Sequence, residues 1–123
     1  MVYLNITLKS RDDLSLFLKE NTGLIILKFT APWCGPCNNI KDIVDSYFSN
    51  SPVNCTCVSI DIDESIDIFA TMKRFKVLKG VPGLLCYIKD ETDGIFPSFV
   101  CNTGDRSEVT NFFIECNERL KSI

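Results

Sequence analysis

An almost unbroken apolar run at residues 24–30 leads, after two further residues, into the segment Trp-Cys-Gly-Pro-Cys at positions 33–37. Such a run is typical of a central β-strand that is covered on both faces. From Cys34 onward, apolar residues recur every three or four positions, which predicts a helix with one buried stripe. The stripe consists of Ile40, Ile43, Val44, Tyr47 and Phe48, and the segment ends by Pro52. Two thiols therefore lie where a buried strand turns into a helix.

The residues before this run predict one strand and one helix. Residues 2–6 alternate apolar and polar side chains, as a short strand does. Ser10, followed three residues later by Asp13, resembles a capping box that opens a helix. The apolar positions of that helix are Leu14, Phe17 and Leu18, and Gly23 ends it.

The residues after the cysteine segment continue the alternation of strands and helices. We predict strands at 55–63, 84–88 and 96–101, and a helix at 64–75 that a connector, 76–83, follows. Asp105 caps a final helix. The apolar side of the helix at 64–75 is predicted to carry Ile66, Phe69, Ala70 and Met72, and that of the last helix Val109, Phe112, Phe113 and Cys116.

The predicted order, β-α-β-α-β-α-β-β-α, limits the architecture. Helical crossovers give parallel strands, whereas the short turn at 90–94 gives an antiparallel pair. Pro97 makes the last strand an edge strand. We therefore predict an α/β fold with a mixed five-stranded central sheet flanked by four helices on both faces. Residues 1–123 are predicted to form a single domain, because the chain has no linker or internal repeat.

Composition narrows the possible partners and the compartment. The net charge is −3 and Lys and Arg form no run, so we expect no nucleic-acid partner. No apolar stretch, such as that at 24–27, approaches the roughly 18 residues of a membrane span, and residues 1–5 do not resemble a signal peptide. We expect a cytoplasmic protein with no membrane partner, in which most of the seven cysteines are free thiols.

The position of the two thiols indicates thiol–disulfide exchange. A cysteine at a helix N-terminus has its thiolate stabilised by free backbone N–H groups and by the helix dipole. Cys34 occupies that position and is expected to be exposed, while Cys37 lies nearly one turn further in. We predict that Cys34 attacks a substrate disulfide and that Cys37 resolves the mixed disulfide. Gly35 and Pro36 shape the loop.

Two other uses of a Cys-x-x-Cys pair are disfavoured. A structural zinc site needs four ligands, and the chain has no histidine and no second Cys-x-x-Cys pair. Covalent haem attachment would require histidine after the second cysteine, where this chain has Asn38. Trp33 is expected to screen one side of the thiols and to offer substrate an apolar contact, the alternative being plain core packing.

At this point the chain resembles the thioredoxin family over nearly its whole length. The likeness rests on the strand end at 29–32 that runs into the segment 33–37, on the connector Gly80-Val81-Pro82, and on the element order. It implies a cis Val81–Pro82 bond beside the cysteines, and Trp33, Val81 and Pro82 as substrate-binding residues.

The resemblance also implies the partners. They are protein substrates that contain disulfides and a separate reductase, similar to thioredoxin reductase, that draws electrons from NADPH. No bound cofactor is implied, and a monomer is expected.

The chain departs from this family at four places. Lys28 stands where thioredoxins usually carry an acid, so either its ammonium reaches water or an acid such as Asp61, or it tunes the thiols. Gly83 follows Pro82 where threonine is common, and Asn102 replaces a usual glycine, with Gly104 close by. The turn at 90–94 is longer and more acidic than the family's hairpin.

Several alternatives remain open from the sequence. An oxidase or isomerase similar to protein disulfide isomerase is the nearest, although Pro36 stands where that family has histidine. A thioredoxin-like adaptor, whose redox turnover is incidental, is the other. Cys55 and Cys57 lie on one face of a strand and are either small buried side chains or regulatory thiols. Cys86, Cys101 and Cys116 fall at apolar positions and are assigned no chemistry.

Overall fold

The computed structural model describes residues 2–4, 7–89 and 94–123, and only the backbone of residues 2–4. The elements follow the predicted order. Residues 5–6 of the first predicted strand and 90–93 of the predicted turn lie outside the described residues. The elements are β1 (Val2–Leu4), α1 (Arg11–Glu20), β2 (Leu24–Thr30), α2 (Gly35–Ser49), β3 (Cys55–Asp61), α3 (Ile66–Arg74), β4 (Gly83–Ile88), β5 (Phe99–Cys101) and α4 (Arg106–Leu120).

The five strands form one mixed sheet in the order β1-β3-β2-β4-β5. β2 is central and pairs in parallel with β3 and antiparallel with β4. β5 pairs antiparallel with β4 and lies at an edge, as Pro97 predicts. The register pairs Phe29 with Gly83, so the end of β2 lies beside the start of β4. The predicted five-stranded sheet is confirmed.

Helices cover both faces of this sheet and enclose two apolar cores. Leu14 and Phe17 of α1 and Ile68 and Met72 of α3 pack against one face. The opposite core takes residues of α2 and α4, including Ile40, Val44, Phe48, Val109, Phe112, Phe113 and Cys116. Every residue of β2 except Thr30 is buried, as expected of a central strand. In the described residues, no helix has the length and apolar character that crossing a membrane requires.

The predicted starts of α1 and α4 are confirmed by their caps. Ser10 and Asp13 form the reciprocal capping box of α1, in which the Asp13 N–H donates to Ser10 Oγ and the Ser10 N–H donates to Asp13 Oδ2. The Asp105 carboxylate accepts the N–H groups of Ser107 and Glu108 at the start of α4. These side chains satisfy amides that a helix N-terminus otherwise leaves without partners.

Several element boundaries and one helix face differ from the prediction, since β4 begins at Gly83 and α3 spans Ile66–Arg74. β3 ends at Asp61 because the Asp61 side chain and carbonyl accept N–H groups of the following turn. β5 begins only at Phe99, since Pro97 has no N–H to donate to a neighbouring strand. In α3 the buried side chains are Ile68, Thr71 and Met72, so Met72 of the predicted set is confirmed, whereas Ile66 and Ala70 are exposed.

The α3 error has a physical cause. The helix is nine residues long and has apolar side chains on two sides, so spacing alone does not select the buried one. Ile66 is 70% exposed at its first turn, and Ala70 is exposed, while Phe69 is partly buried against the same core. Packing against the sheet and α1 decides the face.

α4 is fastened to α2 by an ion pair at its first residue. Both terminal nitrogens of Arg106 donate to the Asp42 carboxylate, at 2.8 and 3.0 Å. Arg106 Nη1 also donates to the carbonyl of Asn39 at 2.6 Å. Hydrogen bonding to Arg106 lowers the pKa of Asp42 to about 2.

Candidate active site

Cys34 and Cys37 are joined by a disulfide at the N-terminus of α2. Cys34 is the N-cap residue, and the backbone N–H of Cys37 points at its sulfur, with N···Sγ at 3.2 Å. Pro36 occupies the first turn, where a helix needs no N–H donor. The amides and dipole of α2 are thus directed at Cys34.

Cys34 is more enclosed than expected. Its exposed fraction is 4% and that of Cys37 is 5%. The pair turns inward and packs with the apolar core beneath α1 and α3, while Gly35 and Pro36 carry the exposed surface of the loop. The prediction of an exposed Cys34 is wrong for this disulfide-bonded state.

Trp33 lies on the surface beside the disulfide, with 66% of the residue exposed. Its Nε1–H donates to Asp63 Oδ2 at 3.1 Å, and the Asp63 N–H donates to Asp61 Oδ1 at 2.8 Å. The turn after β3 therefore anchors the indole. Core packing of Trp33 is excluded, and an apolar surface remains available next to the cysteines.

The Val81–Pro82 peptide bond is cis, as the resemblance implied. Gly83, the next residue, pairs with Phe29, and five residues beyond Phe29 the chain reaches Cys34. Pro82 is buried, whereas Val81 is partly exposed. The connector before β4 thus lies at the same end of the central strands as the disulfide.

Asn102 holds this connector through three hydrogen bonds. Its Oδ1 accepts the Lys79 N–H at 2.6 Å, and its Nδ2 donates to the carbonyls of Gly80 and Pro82 at 3.0 and 2.8 Å. In the sequence, Asn102 stands out only as a departure at a position where glycine is usual. No local pattern indicates a side chain that spans 20 to 23 residues of sequence to its partners.

Gly83 and Gly104 lie where side chains would collide with neighbours. A Cβ on Gly83 would lie 2.6 Å from Leu78 Cδ2 and 3.5 Å from Asn102 Nδ2. A Cβ on Gly104 would lie 3.0 Å from Pro36 Cβ and 3.1 Å from the Pro36 carbonyl oxygen. Gly104 therefore allows the loop before α4 to touch the cysteine loop.

A family model described as "Thioredoxin" matches residues 6–100, which is most of the chain. The chain belongs to the thioredoxin family. The disulfide, the cis proline and the sheet order described above are therefore features of a thioredoxin-family protein. The predictions of family and fold are confirmed.

Curated thioredoxins match parts of the chain. The H-type thioredoxin of Ricinus communis is 32% identical over 75 residues, covering 52% of this chain and 63% of the relative. Thioredoxin of Bacillus subtilis is 32% identical over 73 residues, covering 59% of this chain and 66% of the relative. The chloroplastic M-type thioredoxin of Zea mays is 27% identical over 63 residues, covering 51% of this chain and 35% of the relative. The matches span less than two thirds of these three relatives.

Solved structures share the fold over a larger part of the chain. Trichomonas vaginalis thioredoxin aligns with a TM-score of 0.67 at 21% identity, covering 96% of both chains. Fasciola hepatica thioredoxin aligns with a TM-score of 0.65 at 21% identity, covering 89% of this chain and 96% of that one.

Lys28 departs from the family pattern and lies behind the cysteines. It lines a recess of about 260 Å³ together with Cys37, Lys41 and Asp61. Only 10% of its side chain is exposed. Its ammonium pairs with Asp45 of α2, at 3.8 Å, rather than with the expected Asp61.

The pKa of Lys28 is shifted by opposing effects. Burial lowers its pKa, and the Asp45 carboxylate partly offsets that effect. Asp45 also pairs with Lys41 at 2.5 Å. Lys28, Lys41 and Asp61 thus line the recess together with Cys37, and Asp45 pairs with both lysines.

The other five cysteines are free thiols. Cys55, Cys57, Cys86 and Cys116 are 0% exposed in the core under α2 and α4, and Cys101 is partly exposed on β5. The sulfurs of Cys55 and Cys57 are 3.8 Å apart, so the pair does share one face. Hydrogen bonding to Cys57 and burial raise the pKa of Cys55, and contact with Cys86 and burial raise that of Cys116. The described residues hold no group of three or more potential metal ligands.

Proposed function

We propose that this chain is a thioredoxin-type protein-disulfide reductase. The observation that carries the proposal is the Cys34–Cys37 disulfide at the N-terminus of α2, placed at the same end of the central strands as the cis Val81–Pro82 bond. Thioredoxin homologues are thiol–disulfide oxidoreductases, and this chain retains both cysteines of their centre.

The proposed reaction begins when the disulfide is reduced to two thiols. The Cys34 thiolate attacks one sulfur of a substrate disulfide, forms a mixed disulfide and releases the other substrate sulfur as a thiolate. The Cys37 thiolate then attacks Cys34 Sγ, which reforms the Cys34–Cys37 disulfide and releases the second substrate thiolate. Two electrons pass from the protein to the substrate.

The helix terminus supports this division of roles. Cys34 is the N-cap residue and receives the Cys37 N–H, so a negative charge on its sulfur is stabilised. Cys37 lies within α2 and lines the same recess as Lys28. Gly35 and Pro36 close the loop between the two sulfurs. Trp33, Val81 and Pro82 are proposed to contact substrate around them.

The proposal includes the electron source and the compartment. A separate reductase, similar to thioredoxin reductase, would reduce the disulfide with electrons from NADPH, so no cofactor bound to this chain is required. Five free cysteines suit a reducing compartment, and we place the protein in the cytoplasm as a monomer.

Lys28 favours a second candidate function, that of an oxidase or isomerase. A cation beside Cys37 would stabilise its thiolate, and hence the dithiol form, which makes the disulfide a stronger oxidant. The reduction potential separates the two functions. Known thioredoxins lie at about −270 mV and protein disulfide isomerase at about −180 mV.

Insulin reduction tests the leading proposal. With dithiothreitol or with a thioredoxin reductase and NADPH, the chain should accelerate insulin precipitation, and Cys34→Ser should abolish the acceleration. Cys37→Ser should instead trap substrates as mixed disulfides on Cys34. An intact fold with no rate above background would favour an adaptor, and a Cys34→Ser variant that traps the same substrates would reverse the two roles.

A further inference from the structure

The backbone of Val81 is framed by carbonyls that Asn102 holds. Asn102 Nδ2 donates to the carbonyl before Val81, that of Gly80, and to the carbonyl after it, that of Pro82. Its Oδ1 accepts the N–H of Lys79. Only one orientation of the amide serves all three partners, because two need a donor and one needs an acceptor.

The hydrogen bonds of Asn102 do not involve the backbone N–H and C=O of Val81. Among the described residues, neither the N–H nor the C=O of Val81 has a hydrogen-bond partner, whereas the adjoining carbonyls do. Val81 is also partly exposed. A free donor and a free acceptor on one exposed residue can pair with an extended peptide, as neighbouring strands pair.

Two glycines, Gly83 and Gly104, lie close to Asn102 and its contacts. Beside Asn102, a Cβ on Gly83 would lie 2.6 Å from Leu78 Cδ2, so Leu78 would have to move to admit a side chain there. Two residues beyond Asn102, Gly104 touches Pro36 of the cysteine loop. Asn102 therefore lies in a short segment that contacts both the connector and the loop that carries Cys34.

We propose that Asn102 is a positioning residue for protein substrates: it fixes the Gly80 and Pro82 carbonyls so that the Val81 backbone is presented to a substrate main chain beside Cys34. This inference rests on the proposed reductase function and adds a group that shapes substrate binding without touching the reacting sulfurs. Substrates that dock an extended peptide should need Asn102, and small disulfides without a peptide chain should not.

The test compares two substrates in steady-state reduction by the full chain. For Asn102→Ala, the KM for insulin should rise roughly fivefold to tenfold, in keeping with the loss of ordered hydrogen bonds. The kcat for insulin and the rate with 5,5′-dithiobis(2-nitrobenzoate) should stay within about twofold of wild type. The reduction potential should stay at its wild-type value. Asn111→Ala, which removes an exposed asparagine of α4, is the matched control and should change none of these quantities.

Asn102→Asp provides a second variant of the same size. Its carboxylate can still accept the Lys79 N–H but cannot donate to the two carbonyls, so it should raise the KM for insulin at least as much as Asn102→Ala. Unchanged KM values in both variants would overturn the inference. An equal loss with both substrates, accompanied by a lower melting temperature, would also overturn it, because that pattern indicates a structural role only. If the wild type itself fails to reduce insulin, the proposed function fails instead.

Discussion

The ammonium group of Lys28 lies 3.8 Å from Asp45 Oδ1, so a lysine of the central strand and an acid of α2 meet beside the recess that Cys37 lines. The pair is only partly enclosed, since 45% of the Asp45 side chain is exposed. Its Coulomb attraction therefore does not cancel the effect of burial on Lys28, whose pKa is lowered. A buried lysine with a lowered pKa therefore lines the same recess as Cys37.

Replacing Lys28 should change the redox poise of the cysteine pair. Lys28→Asp puts a negative charge beside Cys37, which should raise the pKa of that thiol and lower the reduction potential by about 30 mV for each tenfold change in equilibrium constant. Lys28→Ala should shift both quantities in the same direction by less. Thiolate absorbance titration and equilibrium with glutathione measure the two effects.

The matched control for Lys28 is Lys19→Ala, which removes an exposed lysine of α1. It should leave the titration and the potential at their wild-type values. Wild-type values in both Lys28 variants would show that Lys28 is a packed lysine with no influence on the thiols.

A methyl group on Gly104 should destabilise the protein. In Gly104→Ala the new Cβ would lie 3.0 Å from Pro36 Cβ and 3.1 Å from a backbone oxygen, so two loops must separate. Overpacking of this kind typically lowers the free energy of unfolding by about 1–3 kcal/mol. Urea unfolding followed by circular dichroism measures the change.

Gly80→Ala is the control for this substitution, because a Cβ there meets nothing within 4 Å. Its free energy of unfolding should stay within about 0.5 kcal/mol of wild type. Equal stabilities for the two variants would mean that the contact between Gly104 and Pro36 relaxes freely.

The parts of the fold that depend on local chemistry were predictable from the sequence. The capping residues Ser10 and Asp105 start helices where expected, and the apolar run of β2 is buried as expected. The cis Val81–Pro82 bond was implied by the family resemblance alone, because X-Pro sequences do not by themselves select the isomer.

The parts that depend on distant packing were not predictable. The partner of Lys28 is Asp45, since α2 crosses over β2 and brings that side chain closer than Asp61. Asn102 bonds to a connector about 20 residues earlier, and no periodicity or spacing indicates such a contact. Cys34 is enclosed because the disulfide packs into the core, which a position at a helix terminus does not reveal.

The buried cysteines should be distinguishable from the active pair by alkylation. In reduced native protein, a short iodoacetamide pulse should modify Cys34 first, because the helix terminus favours its thiolate. Cys55 and Cys57, which are 0% exposed, should react more than about a hundredfold slower, since they require local opening. Mass spectrometry of peptides after the pulse measures the pattern, and denaturant should remove the difference. Early labelling of Cys55 or Cys57 would instead support the regulatory alternative for that pair.

The ion pair between Arg106 and Asp42 should make stability depend on pH in the acid range. The pKa of Asp42 is depressed to about 2 in the folded protein, below its ordinary value of 3.8. A carboxyl with a depressed folded pKa contributes stability above its unfolded pKa, and that contribution is lost as pH falls through the folded pKa. The melting temperature of wild type should therefore exceed that of Asp42→Asn at pH 6, and the gap should close between about pH 4 and pH 2.

Two controls identify the pair as the source of this dependence. In an Arg106→Gln background, Asp42→Asn should no longer change the melting temperature in a pH-dependent way, because the partner charge is gone. Salt at about 1 M should narrow the gap at pH 6, since both side chains are more than half exposed and screening is effective. A gap that persists unchanged at pH 2, or in the Arg106→Gln background, would assign the effect to the helix itself instead of the contact between α2 and α4.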